Sequence, residues 1–393
     1  MKRIHILYIA VMMLNLASCI EPPLHLPGQE LAVDLQVAQT ELNVVWDSEV
    51  QLEHEWYYGW DLKDDSIWGH IGYPTPTRYE VRRYYKGDNP LGMHTDLDAF
   101  TTNTSRFRRY FQFGYYDMLF YSDIDSEDGT QVLVMNETPD SVTATTTGTR
   151  GISRSILNMS RTNNSDTTGV IGLLNQPEIF YAAYSENVYI SSDLNDYEYD
   201  PVENIYIKHL EAKLRPLVYI YLVQFILYNN EDGRIKGVNG NAALSSMASA
   251  TNVNTGHTSS TPALVYFNTR MKKSQMVEGK LCDVIGGKLT TFGLCDNEPY
   301  TRSGATYAGS RGNLKNFLYY DLVWNNNKVQ TYEFEVTDQC LAQAHGGILT
   351  VRIDCSKLTP PETEESGSGS LFVPTVEDYD EVFWEIEIYT TIK

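Results

Sequence analysis

The constraint that most narrows the fold of this chain is its period-two alternation of apolar and polar residues. It recurs in short runs separated by Gly, Asn, Asp, Pro and Thr clusters. Such runs are antiparallel strands with one face on a core, and no long 3.6-residue periodicity competes with them. Strands are expected at Leu31 to Val37, Leu42 to Trp46, Tyr79 to Tyr85, Phe107 to Phe113 and Gln131 to Met135. Further ones are expected at Val188 to Ile190, Leu217 to Tyr228, Leu264 to Phe267, Gln330 to Val336 and Val382 to Ile392. Leu217 to Tyr228 is densely apolar, the mark of a buried strand, and too short to span a bilayer. Short helices are expected around Asn241 to Ser249 and Asp338 to His345. With 28 Tyr against 13 Phe, the aromatic content is of the kind that packs on a pleated surface. The expectation is an all-β protein with a few short helices.

Residues 1–18 have the form of a leader. Lys2 and Arg3 are a basic n-region, Ile6 to Leu16 an apolar h-region, and Leu16-Ala17-Ser18-Cys19 a bacterial lipobox. Cys19 is therefore the expected lipidation site and the first mature residue, tied to the outer membrane through its acyl chains. The length supports two domains, placed at 19–203 and 204–393 across the acidic turn Asn195 to Asp200. A formal charge of −21 excludes nucleic acid and anionic lipid surfaces as natural partners, since both require a basic footprint. No fixed-period repeat is visible, which disfavours solenoids and propellers.

Chemical motifs are sparse. There is no H-E-x-x-H, G-x-S-x-G or P-loop, so no catalytic residue is assigned and no cofactor is implied. A carboxylate pair meeting in space, as glycosidases use, leaves no trace in sequence. Asp123, Asp125, Glu127 and Asp128 resemble a calcium loop, but Asp128 stands where the turn needs Gly and Val134 where it needs Glu, so a hairpin turn at Asp128-Gly129 is expected. Gly237 to Gly240 reads as a turn. Cys282, Cys295, Cys340 and Cys355 lack zinc spacing, and no metal site is assigned. They are either two disulfides closing short loops, Cys282 to Cys295 and Cys340 to Cys355, or buried thiols. Trp56, Tyr57, Trp60 and Trp68 are either a sugar-stacking platform or core.

Three segments together carry a family resemblance: Phe113-Gly114-Tyr115-Tyr116-Asp117-Met118-Leu119-Phe120-Tyr121, Ala243-Leu244-Ser245-Ser246-Met247-Ala248, and the lipobox at Cys19. The chain resembles the fimbrillin-like lipoproteins of Bacteroides and its relatives. Its second segment is similar to a Leu-Ser-Gly-Met-Ala stretch of anchor and tip proteins, with Ser246 in place of Gly. The resemblance implies two tandem transthyretin-like Greek-key β-sandwich domains, exported to the cell surface and joined to fimbrial partners by strand addition. In stalk subunits of such systems a trypsin-like cut after Arg removes the lipidated strand. Here no Lys or Arg occurs from Ile20 to Leu62; the first are Lys63 and Arg78. The expectation is an uncleaved anchor or accessory subunit. Val382, Trp384, Ile386 and Ile388 would share one face of a last strand that either exchanges with a partner or completes its own domain. A glycan-binding lipoprotein of a polysaccharide-uptake system is the alternative reading, with Trp56, Tyr57, Tyr58 and Trp60 as the contact.

Overall fold

The computed structural model describes residues 31–39, 55–59, 64–65, 69–70, 72–122, 132–138, 141–148, 155–157, 160, 172–230, 232–236, 240–300, 307, 309 and 314–361. In chain order the first strands are β1 (Leu31–Gln39), the two-residue pair β2 (Asp64–Asp65) and β3 (Gly69–His70), β4 (Tyr79–Gly87), β5 (Asp96–Thr102), β6 (Arg106–Tyr110) and β7 (Gly114–Ser122). They are followed by β8 (Leu133–Thr138), β9 (Ser141–Thr145), β10 (Gly172–Leu174), β11 (Tyr181–Ile190), β12 (Glu198–Asp200) and β13 (Ile205–Pro216). The remainder comprises β14 (Tyr219–Tyr228), β15 (Gly240–Ala248), β16 (Ala250–Asn252), β17 (Pro262–Val277), β18 (Lys280–Thr291), β19 (Phe317–Val323), β20 (Val329–Glu335), helix α1 (Thr337–Ala342) and β21 (Gly347–Asp354). The chain is all-β, with short helices only among the described residues.

Two eight-stranded sheets carry the fold. The first runs β5-β4-β7-β11-β13-β1-β6, with β12 also on β13; the second runs β20-β19-β15-β17-β18-β14-β21, with β10 also on β17. β11 and β13 share only the pairs Tyr181↔Pro216 and Ala182↔Arg215, so the first sheet folds over there into two layers. Its far edges, β5 and β6, are joined through residues 103–105. Phe100 and Phe107 meet across the seam with ring centroids 5.6 Å apart. The result is a sandwich closed at one side by a tight turn and at the other by the β11–β13 hinge.

β14 explains its own apolar density. Tyr221, Val223, Phe225 and Leu227 face the interior of the second sheet with Phe267, Leu289, Leu318 and Trp324. Ile220, Leu222 and Ile226 face the other way, into a core that also holds Val33, Val81, Leu119 and Phe120 of the first sheet. Neighbouring β18 is thinned on both faces by Gly286 and Gly287. A Cβ on Gly286 would lie 2.5 Å from the Tyr58 ring, and one on Gly287 2.8 Å from the Phe267 ring.

Several sequence expectations are corrected. Asn241 to Ser249 is not helical; it lies in β15, paired with β17 and β19. Phe107 to Phe113 is not one strand. It stops at Tyr110, and Gly114, at φ 129°, starts β7 in the other layer. The expected boundary at 203/204 falls just before β13, which pairs within the first sheet; the chain reaches the second sheet briefly at β10 and again at β14. The expected strands Leu42 to Trp46 and Val382 to Ile392 lie outside the described residues.

Candidate functional site: the seat of the N-terminal strand

β1 is the first of the described strands yet interior in its sheet. It runs parallel to β13 over its whole length, from Leu31↔Tyr206 to Gln39↔Leu214, and antiparallel to β6 from Ala32↔Tyr110 to Gln36↔Arg106. Val33 is fully buried, as a strand with a core face requires. Asp34, its neighbour on the opposite face, is also buried, which costs stability unless the carboxylate is paired. Arg106 supplies the pairing, donating from Nε at 2.9 Å and Nη2 at 2.6 Å to one Asp34 oxygen. His209 Nδ1 lies 3.2 Å from the same oxygen, and His209 Nε2 lies 3.0 Å from Glu198. Glu198, His209, Asp34 and Arg106 thus form a polar row across β12, β13, β1 and β6. The Arg106 hydrogen bond, outweighing burial, holds the Asp34 carboxyl below its ordinary range.

Downstream, residues 55–59 strap onto the second sheet. Gln224, wholly buried in β14, accepts from Tyr57 N at 2.9 Å and donates to the Glu55 carbonyl at 2.8 Å and to Thr350 Oγ1 at 2.9 Å. Its amide does for the strap what a neighbouring strand would do. Tyr58 is completely buried, its ring on Gly286 and the Lys272 ammonium 4.7 Å above it. Tyr73 continues the attachment: its hydroxyl accepts from Ile220 N at 3.2 Å, and burial pushes this phenol far above its ordinary range. Tyr181 then donates to the Pro74 carbonyl at 2.8 Å, and Tyr79 to that of Pro76 at 3.0 Å.

The aromatic cluster expected near the N-terminus is partly assembled. Trp56 and Tyr57 are half-buried, and the Trp56 ring lies 5.8 Å from that of Tyr58. Tyr57 donates to Glu55, and this bond, ahead of burial, pushes its phenol up to about 12. Trp60 and Trp68 lie outside the described residues, as do Cys19, Val382, Trp384, Ile386, Ile388 and the acidic run Asp123 to Asp128.

All four remaining cysteines are free, buried thiols, so the disulfide expectation gives way to its alternative. For Cys282 and Cys295 the reason is geometric. From Cys282 to Thr291 the chain is extended in β18, about 30 Å at strand rise. The four residues that follow recover at most about 14 Å, far outside the ~7 Å Cα limit of a disulfide. Cys340 and Cys355 sit in the core of the second sheet.

Sequence reasoning missed Gln224, Gly286 and Arg106. One signal for Gln224 was available: a single amide in an otherwise apolar buried strand must have buried partners. For Arg106 it was Arg106-Phe107-Arg108-Arg109, a dense basic run in an acidic chain whose N-terminal segment has no cations.

Fold and site together define an all-β protein of two sandwich-like halves whose N-terminal strand is built into its own first sheet. No family model and no curated protein matches the sequence. Among solved structures, the chain is similar to a proposed adhesin from Bacteroides ovatus, at 14% identity over 85% of this chain and 94% of that one, with a TM-score of 0.46. It is also similar to the fimbrial anchor protein Mfa2 from Porphyromonas gingivalis, at 12% identity over 82% and 90% of the two chains, with a TM-score of 0.40. A third is a proposed cell adhesion protein from Bacteroides fragilis, at 10% identity over 88% and 100%, with a TM-score of 0.35.

Proposed function

We propose that this chain is a non-enzymatic, lipid-anchored protein of the outer-membrane surface, an anchor or accessory subunit of a fimbria or an adhesin, whose N-terminal strand stays in place in the working protein. The observation that carries this reading is the seating of β1 between β13 and β6, followed by the Tyr58 and Tyr73 attachments. A cut after Arg78 would detach all three elements, and with them two buried aromatic side chains and one interior strand. A cut after Lys63 would free β1 and the strap. The absence of Lys and Arg from Ile20 to Leu62 fits a segment that is kept. Lipid at Cys19 then remains covalently joined to the folded body. Partners would add strands at open sheet edges, where main-chain hydrogen bonds supply affinity and alternate side chains supply register. The segment holding Val382, Trp384, Ile386 and Ile388 is the proposed exchange strand.

The test is mass spectrometry of the protein recovered from its native surface. An acylated peptide beginning at Cys19 is expected, together with fimbrial proteins after mild cross-linking. A mature N-terminus following Lys63 or Arg78 would sink the proposal.

A further inference from the structure

A small recess on the first sheet is lined by Arg83, Tyr85, Asp98, Tyr110, Gln112 and Tyr116, and has a volume of about 110 Å³. We propose that it is a subsite for one neutral hexose unit of a glycan. This assigns a ligand class to the adhesive role proposed above, and depends on that role only for its biological meaning.

The recess is rigid because Arg83 is cemented in place. Arg83 and Asp98 are direct cross-strand partners on β4 and β5, and their side chains are ion-paired. Arg83 Nη1 donates to the Tyr110 carbonyl at 2.8 Å, and its guanidinium carbon sits 4.4 Å from the centre of the Phe111 ring. Tyr85 donates to the Phe113 carbonyl at 2.8 Å, and its ring lies 5.0 Å from that of Tyr116. Tyr116 in turn bonds the Gln112 backbone, accepting from N at 3.0 Å and donating to O at 3.2 Å. A recess whose walls are already bonded to one another loses little entropy on binding.

Its chemistry selects among ligand classes. Arg83 is neutralised by Asp98, and the chain carries −21, so an anion gains little here. A lining of carboxylate, amide and phenol edges suits hydroxyl groups better than an apolar ligand. Asp98 binds Arg83 through one oxygen and is half exposed, which leaves the other to accept from sugar hydroxyls. Gln112 is exposed and its side-chain amide makes no bond among the described residues, so it offers both a donor and an acceptor. Tyr110 is 59% exposed and presents a ring on which the C–H face of a pyranose can stack. Directional hydroxyl partners beside an aromatic wall are what a single sugar ring needs.

The experiment titrates the full-length protein with the methyl α- and β-glycosides of glucose, galactose and mannose, read by saturation-transfer NMR and calorimetry. Binding of at least one glycoside is expected, at roughly millimolar strength. Gln112→Ala and Tyr110→Ala should each weaken it at least about tenfold, with circular dichroism unchanged. Trp56→Ala, at a residue that does not line the recess, should leave it unaltered. No signal from any of the six glycosides at about 20 mM, well above that strength, would overturn the proposal, and so would binding that survives both recess variants. Surface attachment and the mature N-terminus are measured on cells without added sugar, so the two proposals fail separately.

Discussion

If the strap holds the N-terminal segment to the second sheet, Tyr58 and Gly286 are one contact seen from two sides. Removing the ring in Tyr58→Ala empties a fully buried aromatic site, a change that costs about 3–5 kcal/mol in well-packed cores. Adding one methyl in Gly286→Ala forces the ring away from a point 2.5 Å from the new carbon, an overpacking cost of about 1–3 kcal/mol. In the double variant the methyl enters space the ring has left. There Gly286→Ala should be neutral or mildly stabilising, because alanine favours a strand interior over glycine by roughly 0.5–1 kcal/mol. The coupling is therefore favourable by about 1–4 kcal/mol, far above the ~0.5 kcal/mol within which independent sites add. Urea unfolding gives the energies, and hydrogen exchange across residues 219–228 reports whether the β14 face has been uncovered. Additive energies, or unchanged exchange in β14 with either single variant, would refute the packing argument.

Other expectations follow from the same seat. Gln224→Met keeps the volume but strands the Tyr57 N–H and the Glu55 carbonyl; it should cost about 2–3 kcal/mol and speed exchange of the Tyr57 amide while α1 peptides stay protected. Asp34 has a folded pKa below the ordinary 3.8. Its contribution is complete above the unfolded value and fades as pH falls through the folded one, so Asp34→Asn should lower the urea midpoint at pH near 7 and differ little from the parent near pH 2. Burial pushes the Cys355 thiol up to about 12 and also raises that of Cys282. Native protein should therefore resist thiol reagents, whereas denatured, unreduced protein should show all four of Cys282, Cys295, Cys340 and Cys355 as reactive; protection that only reductant removes would restore the disulfide reading.

How much of this was legible in the sequence depends on whether a feature is local. Strands with one solvated face, such as β20, announce themselves by alternation, and the continuous apolar run at β14 announces burial on both sides. β15 misled because its small residues fit a helix as well as a strand. Its identity is decided by partners far along the chain, together with a bulge in which Ser245 and Ser246 occupy the interval between the pairs Leu244↔Val265 and Met247↔Ala263. Ser246 sits there at φ +59°, a conformation that glycine adopts freely. Ser246 tolerates the conformation with its hydroxyl donating to the Lys315 carbonyl at 2.6 Å.

The acidity of the N-terminal segment was legible in composition but not in meaning. Read along the chain, Asp34 is one carboxylate in a stretch without cations, and the inference stops at the missing cleavage sites. Read across the sheet, it is the group on which Arg106 and His209 converge from the two strands flanking β1. A segment that exposes no basic residue to a trypsin-like protease must draw its cations from elsewhere, and Arg106 and His209 lie on the two strands with which β1 pairs. The lack of Lys and Arg from Ile20 to Leu62 therefore leaves the strand dependent on its own sheet for charge pairing, which Arg106 and His209 supply.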